Sequence, residues 1–234
     1  MNHYFEFKKF TIWQQDCAMK VTEIACIQGA WSPVPYAAKK VLDIGSGTGL
    51  LSLMMAQRHT TIQIDALEID EASYRQSLQN FTNSVYNTRI QAIQGDLKTF
   101  TPQQLYDFII VNPPFFERQL KSPDQLKNIA WHSAQLTLHE LVACIEKLLC
   151  EKGHFSILIP VQREKEILAI SRNSHFFPIQ ILQIRHSDKH AISHLVIIFS
   201  RQQMLCNTEL LTMKENGNYS TFFLHLLRDF YLKL

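Results

Sequence analysis

No apolar stretch in this 234-residue chain approaches the roughly 20 residues needed to cross a bilayer; the longest, at 50–56 and 195–199, fall far short. The opening residues, Met1-Asn-His-Tyr-Phe-Glu-Phe-Lys-Lys, lack the basic, apolar and small-residue blocks of an export signal, so a cytosolic protein is expected. Five cysteines are an odd number and contain no CxxC pair, which argues against both a disulfide framework and a zinc cluster. The ten histidines show no metal-ligand spacing: His186, His190 and His194 lie four apart, but the last falls in a strand-like run, and no metal is expected. Charged residues, at 19%, are too few for a disordered or coiled-coil chain, whereas 46% hydrophobic residues suffice for one substantial core. A net charge of +2 gives no strong basic excess, so any polyanion footprint must be local. Lys8, Lys9, Lys20, Lys39 and Lys40 are its candidates.

From Val41 onward, short β-branched runs alternate with longer helical stretches, the pattern of a parallel sheet covered on both faces. Strands are expected at 41–45, 62–68, 90–94, 106–111, 154–159, 179–185 and 192–199, and helices at 49–58, 71–81, 133–150 and 162–173. The last two strands follow one another without a clear helix, which predicts an antiparallel pair at the end of an otherwise parallel sheet. The expected fold is therefore α/β: a seven-stranded, mostly parallel, Rossmann-like sheet with helices on both faces and an N-terminal extension. Residues 1–36 form the extension, expected as a cap segment, and 37–234 the main domain. The cap and the polar stretch 116–128 are placed to cover the carboxyl ends of the strands, where open α/β sheets bind ligands.

Three strand ends carry the marks of a cofactor site. Val41-Leu-Asp43-Ile-Gly45-Ser46-Gly47-Thr-Gly49 is a strand running into a glycine-rich turn, with GxGxG spacing in place of the GxGxxG that seats a pyrophosphate. A cofactor without a phosphate suits the shorter form. Glu68 ends the next strand about 20 positions on, where a carboxylate can accept from both ribose hydroxyls; an ordinary solvated strand-end carboxylate is the alternative. Asp96 and Leu97 follow the third strand, in a turn able to offer a carboxylate to an adenine amino group and a backbone N–H to a ring nitrogen, and Asp96 as a simple turn former is the plainer reading.

The strand at 106–111 runs into Asn112-Pro113-Pro114-Phe115. Two prolines remove two backbone donors and fix φ, leaving rigidly presented carbonyls. The Asn112 side-chain oxygen and the Pro113 carbonyl can accept both hydrogens of an amino group, directing the nitrogen lone pair at a methyl sulfonium, while Phe115 stacks on the planar substrate. A strand terminator followed by a core aromatic is the competing interpretation. Methylation of an amino nitrogen in this way needs no general base before transfer, because the neutral nitrogen attacks and loses its proton afterwards.

Over nearly its whole length the chain resembles the bacterial tRNA adenine-N6 methyltransferases that modify position 37, beside the anticodon, of tRNA-Val. The resemblance rests on Phe7-Lys-Lys-Phe10-Thr-Ile-Trp-Gln14, Cys17-Ala-Met-Lys20-Val21, Gly29-Ala-Trp31, the glycine loop, Asn112-Pro-Pro-Phe115, Asn218-Tyr-Ser220 and Phe230-Tyr-Leu232. It implies that the seven-stranded sheet is a methyltransferase sheet and residues 37–234 a class I methyltransferase domain, with S-adenosyl-L-methionine as cofactor, tRNA as partner and no membrane. The cofactor-binding residues it implies are Lys20, Asp43, Gly45, Ser46, Gly47, Gly49, Glu68, Asp96, Leu97 and Asn112; the catalytic ones are Asn112, Pro113, Pro114 and Phe115. Two departures from the family pattern are Thr22-Glu-Ile-Ala25, which moves a polar contact to Glu23 or loses it, and Trp131 in place of arginine. Because Asn-Pro-Pro-aromatic motifs also serve other amino and amide substrates, the alternatives are an rRNA guanine-N2 or protein glutamine-N5 methyltransferase, or a non-catalytic RNA-binding module of the same fold. Tyr4, Phe5, Phe7 and Phe10, interleaved with Lys8 and Lys9, suit either base stacking with phosphate neutralisation or a hydrophobic flap over the cofactor.

Overall fold

The structure, a computed structural model, describes residues 2–17, 19–113 and 136–233. A short hairpin, β1 (Tyr4–Glu6) and β2 (Thr11–Trp13), precedes helix α1 (Glu23–Trp31). Three strand–helix units follow in part or whole: β3 (Lys40–Ile44), α2 (Leu50–Arg58), β4 (Gln63–Glu68), α3 (Glu71–Thr82) and β5 (Ile90–Gln94). Next come β6 (Tyr106–Val111), α4 (Leu138–Leu148), β7 (Leu149–Pro160) and α5 (Glu164–Asn173). The chain ends with β8 (Phe177–Ser187), β9 (His194–Ser200), β10 (Asn207–Glu215), β11 (Asn218–Tyr219) and α6 (Thr221–Leu227).

Among the described residues the central sheet has nine strands, in the order β11-β10-β8-β9-β7-β6-β3-β4-β5. All seven expected strands are there as one contiguous block, and β9 alone of these runs against its neighbours, β7 and β8. The sheet exceeds the expected count because β10 adds in parallel to β8 and β11 folds back on β10. Chain order reverses at the centre: β3 is followed outward by β4 and β5 on one side, and flanked by β6 and β7 on the other. That switch opens a crevice at the carboxyl ends of β3 and β6.

Side chains alternate across each strand, so the sheet divides the apolar residues into two cores. In β6, Phe108 and Ile110 join the core beneath α1, α2 and α6, while Ile109 and Val111 join the one beneath α4 and α5. Helix α4 starts at Leu138, where Thr137 and Glu140 make a capping box, rather than at the expected 133; residues 133–135 lie outside the described set.

Helix α1 has no counterpart in the expected elements, for a physical reason. Its residues Ala25, Cys26, Ile27, Gln28, Gly29 and Ala30 are all buried, so it carries no polar stripe to mark a helical period. It begins where the Thr22 hydroxyl accepts from the Ala25 N–H at 3.2 Å. Both chain ends then close on it and on each other. Phe7 bridges to Tyr231, the Lys8 N–H donates to the Phe230 carbonyl at 2.8 Å, and the Tyr219 hydroxyl donates to Glu23 at 2.8 Å. Among the described residues no helix is long and apolar enough to cross a membrane.

Candidate cofactor and catalytic site

The glycine turn after β3 is held from two sides. The Gly45 and Ser46 N–H groups both donate to the Leu67 carbonyl, at 2.8 and 3.1 Å, tying the turn to the end of β4. Gly49 has φ +81°, and a Cβ there would stand 2.3 Å from Phe81 Cε1, so both conformation and close packing demand glycine. Gly45 has φ +67° but faces open space, with nothing within 4 Å of a Cβ.

Asp43, at the end of β3, is fully buried. Its Oδ2 accepts from the Ser52 N–H at 3.1 Å and the Ser52 hydroxyl at 2.7 Å, capping the first turn of α2. Burial pushes its carboxyl up to about 7, Glu68 adds to the rise, and the two Ser52 bonds oppose it. Its Oδ1, like the Ser46 hydroxyl, is buried with no hydrogen-bond partner among the described residues.

Glu68 sits beside this turn rather than in solvent. Its Oε2 accepts from the Gly47 N–H at 2.8 Å and its Oε1 from the Asp70 N–H at 2.9 Å. Each carboxylate oxygen retains a second lone pair, so both can still accept from a ribose diol. The third strand end joins them, because the Gly95 N–H donates to the Glu68 carbonyl at 2.9 Å. Asp96 Oδ1 accepts from the Lys98 N–H at 2.9 Å, the turn-forming bond of the plainer reading, and the Leu97 side chain lies in the core.

These features fit a cationic, phosphate-free cofactor such as S-adenosyl-L-methionine: two buried carboxylates, an orphaned acceptor at Asp43, and open space over Gly45. Asn112 and Pro113 leave the end of β6 directly beside the turn, since Ile44 and Val111 form the last pair between β3 and β6. Both residues are half-buried. Pro114, Phe115 and Trp131 lie outside the described residues.

The methyltransferase small domain family matches residues 31–159. A tRNA1(Val) (adenine(37)-N6)-methyltransferase of Dyadobacter fermentans is 39% identical over 99% of this chain and 98% of its own length. One from Flavobacterium psychrophilum is 34% identical over 98% and 100%. The chain belongs to this methyltransferase family. Among solved structures, a predicted O-methyltransferase from Agrobacterium tumefaciens matches with a TM-score of 0.68 at 14% identity, over 89% of this chain and 96% of that one, which speaks for the fold alone.

Several residues that shape this methyltransferase's site lie outside the sequence motifs. On α3, Ser73, Gln76, Ser77 and Asn80 are buried at the i, i+3, i+4, i+7 spacing of one helical face. That polar stripe seats the N-terminal segment. Asn80 receives the Trp13 N–H at 2.9 Å, donates to the Trp13 carbonyl at 2.8 Å, and reaches the Thr48 carbonyl of the glycine turn at 2.9 Å. An uncharged polar stripe at helical spacing was the available signal. Further along the segment, Cys17 is buried, its thiol is pushed up to about 11 mainly by desolvation, and it senses the charges of both Glu68 and Lys20. The Lys20 ammonium donates to the carbonyls of Gln14 and Gln15.

The N-terminal aromatics divide. Phe7 and Phe10 are buried and pack together with ring centroids 4.7 Å apart, so they are core residues with no face free for a base. Tyr4 stays exposed beside Trp13. Lys39 and Lys40 precede or begin β3, at the opposite end of the strands from Asn112, and Lys40 pairs with Asp65 at 2.6 Å. They are not part of a footprint around the site. Glu23 is engaged by Tyr219, in the contact between α1 and the end of the chain.

Proposed function

We propose that the protein transfers a methyl group from S-adenosyl-L-methionine to N6 of adenosine in tRNA, at adenine-37 beside the anticodon of tRNA-Val. The observation that carries this reading is the adjacency of Asn112-Pro113 to the glycine turn, in a chain collinear with its relatives from end to end. Bound S-adenosyl-L-methionine supplies an electrophilic methyl group on sulfur. The residues that would hold it are Asp43, Gly45, Ser46, Gly47, Gly49, Glu68, Asp96 and Leu97, with Lys20 on the covering segment and Asn112 between cofactor and substrate.

Asn112 Oδ1 and the Pro113 carbonyl each accept one N–H of the adenine amino group. Held this way, the nitrogen lone pair turns out of conjugation with the ring and points along one direction. Pro114 stiffens the backbone that presents these acceptors, and Phe115 stacks on the base. The nitrogen attacks as a neutral group, so no residue need remove a proton first; one leaves after methylation. Residues 1–36 serve as the cover of the site and 37–234 as the catalytic domain, a division supported by the Trp13–Asn80–Thr48 contacts. The reaction belongs in the cytoplasm, with tRNA.

The direct test is radiolabelled methyl transfer to total tRNA from a strain lacking the gene, followed by nucleoside analysis. N6-methyladenosine is the expected product. Asn112→Ala should slow transfer on the order of a hundredfold, equivalent to about 3 kcal/mol, with cofactor affinity little changed. A wild-type rate in Asn112→Ala, or label appearing in release-factor protein instead of tRNA, would refute the reading.

A further inference from the structure

The peptide bond that joins β6 to the catalytic asparagine is gripped from outside the sheet. Gln28, in the middle of α1, is fully buried, and its Nε2 donates to the Val111 carbonyl at 3.0 Å and to the Ser156 hydroxyl at 3.3 Å. Ser156 lies in β7, opposite Ile110 of β6, and its hydroxyl shares a 2.7 Å hydrogen bond with that of Ser32, the residue ending α1. None of these three residues belongs to a cofactor or substrate motif.

We propose that Gln28 is a positioning residue that sets the direction of the Asn112 side chain. Pairing of β6 with β3 and β7 stops at Val111, opposite Ile44 and Ile157. The carbonyl that Gln28 holds lies in one plane with the N–H of Asn112, so fixing the oxygen fixes the plane from which Asn112 departs. Asn112 precedes a proline, which confines its backbone to extended conformations, and the φ of Pro113 is set by its ring. With the plane fixed, few freedoms remain by which the acceptor can drift.

Helix α1 is a firm anchor for this grip. Arg58 of α2 donates to the Gly29 and Ser32 carbonyls at 2.9 and 2.8 Å, closing the end of the helix. At Gly29 a Cβ would meet Met54 Sδ at 2.7 Å, a measure of how closely α1 and α2 pack. The amide contributes to stability through its two Nε2 bonds but carries a penalty at its other end. Gln28 Oε1 is buried without a hydrogen-bond partner among the described residues, and an apolar side chain of the same size would carry no such penalty.

The inference rests on the reading of Asn112 given above. Its test uses the full chain with tRNA and S-adenosyl-L-methionine in single-turnover assays, beside melting curves and S-adenosylhomocysteine calorimetry. Gln28→Met keeps the length and removes the donor; Gln28→Met with Ser156→Ala removes both ends of the network and leaves an apolar contact. Both variants should transfer methyl groups about ten- to a hundredfold more slowly than wild type, with S-adenosylhomocysteine affinity within twofold. The double variant also strips the Ser32 hydroxyl of its buried partner and should melt below the wild-type temperature, so its rate is read well below its melting range and should stay slow there. A single-turnover rate within twofold of wild type in either variant, or recovery of rate together with melting temperature in the double one, would make Gln28 a packing residue only. If Gln28→Met does not fold, the double variant decides alone. Failure of the wild-type protein to methylate tRNA would instead strike at the proposed function.

Discussion

The cofactor cradle and the clasp of the chain ends are built on opposite plans. The cradle draws on residues between 43 and 97, contributed by strand ends and the turns that follow them and held by hydrogen bonds such as those from Gly45 to Leu67 and from Gly47 to Glu68. The clasp joins Phe7, Glu23 and Cys26 to Tyr219, Phe230 and Tyr231, and burial of aromatic rings is its main content. Polar, strained and short-range on one side, apolar and long-range on the other, the two regions should fail differently. Damage to the clasp should unfold the protein, whereas damage to the cradle should first empty it.

The largest effect is expected at Phe7. Phe7→Ala removes a ring packed against Phe5, Phe10 and Tyr231 and should cost about 4 kcal/mol in urea unfolding. S-adenosylhomocysteine affinity, measured where the variant is still folded, should change less than threefold; a larger loss would show that clasp and cradle act as one unit. Two glycines come next. Gly49→Ala meets both the positive φ and the Phe81 ring and should lose about 3 kcal/mol, whereas Gly45→Ala meets only the φ penalty and should lose about 1 kcal/mol. Gly45→Ala should nonetheless abolish cofactor binding by filling the cradle, and normal binding by this variant would place the cofactor elsewhere.

A separate effect, read against pH, is centred on Asp43. Its folded-state carboxyl, near 7, lies above the 3.8 of an unfolded chain, so the folded state holds the proton more tightly. The resulting stability is fully present below about pH 4 and is lost as pH rises through 7. Asp43→Asn should remove this component from the pH–stability curve. Binding a cation beside the carboxylate favours its ionised form, so cofactor binding near neutral pH should release protons, read from the dependence of calorimetric heat on buffer. No proton release would mean that Asp43 stays clear of the cofactor's charge.

The same contrast explains what the sequence disclosed. The strands of the cradle could be placed within a residue or two because each is a β-branched run ending in Gly, Asp or Glu, and local chemistry determines them. Glu68 was ambiguous for want of the Gly47 N–H, a partner brought near by the sheet. Phe7 and Phe10 offered two functions on paper, and the deciding fact, Tyr231, lies at the far end of the chain. Helix α1 was hidden by being apolar almost all round. The β10–β11 hairpin did leave a local mark: Asn216-Gly217, both with positive φ, is the pair favoured in tight hairpin turns. Gln28 left none, since a lone glutamine in an apolar run gains meaning only from the strand end it touches.

The meeting of Phe7 with Tyr231 also has a consequence for synthesis on the ribosome. Lys8 and its partner Arg228 are 220 positions apart. At about 5–20 residues per second, the aromatic N-terminal strand emerges roughly 10–45 s before the segment that covers it is made. Throughout that interval the rings of Phe5, Phe7 and Phe10, carried by the β1–β2 hairpin, lack Phe230 and Tyr231 as packing partners, the kind of apolar surface that chaperones hold and that aggregates when they do not. Maturation is therefore timed by residues 219–231, and a ribosome stalled before them would leave a chain whose N-terminal hairpin is uncovered.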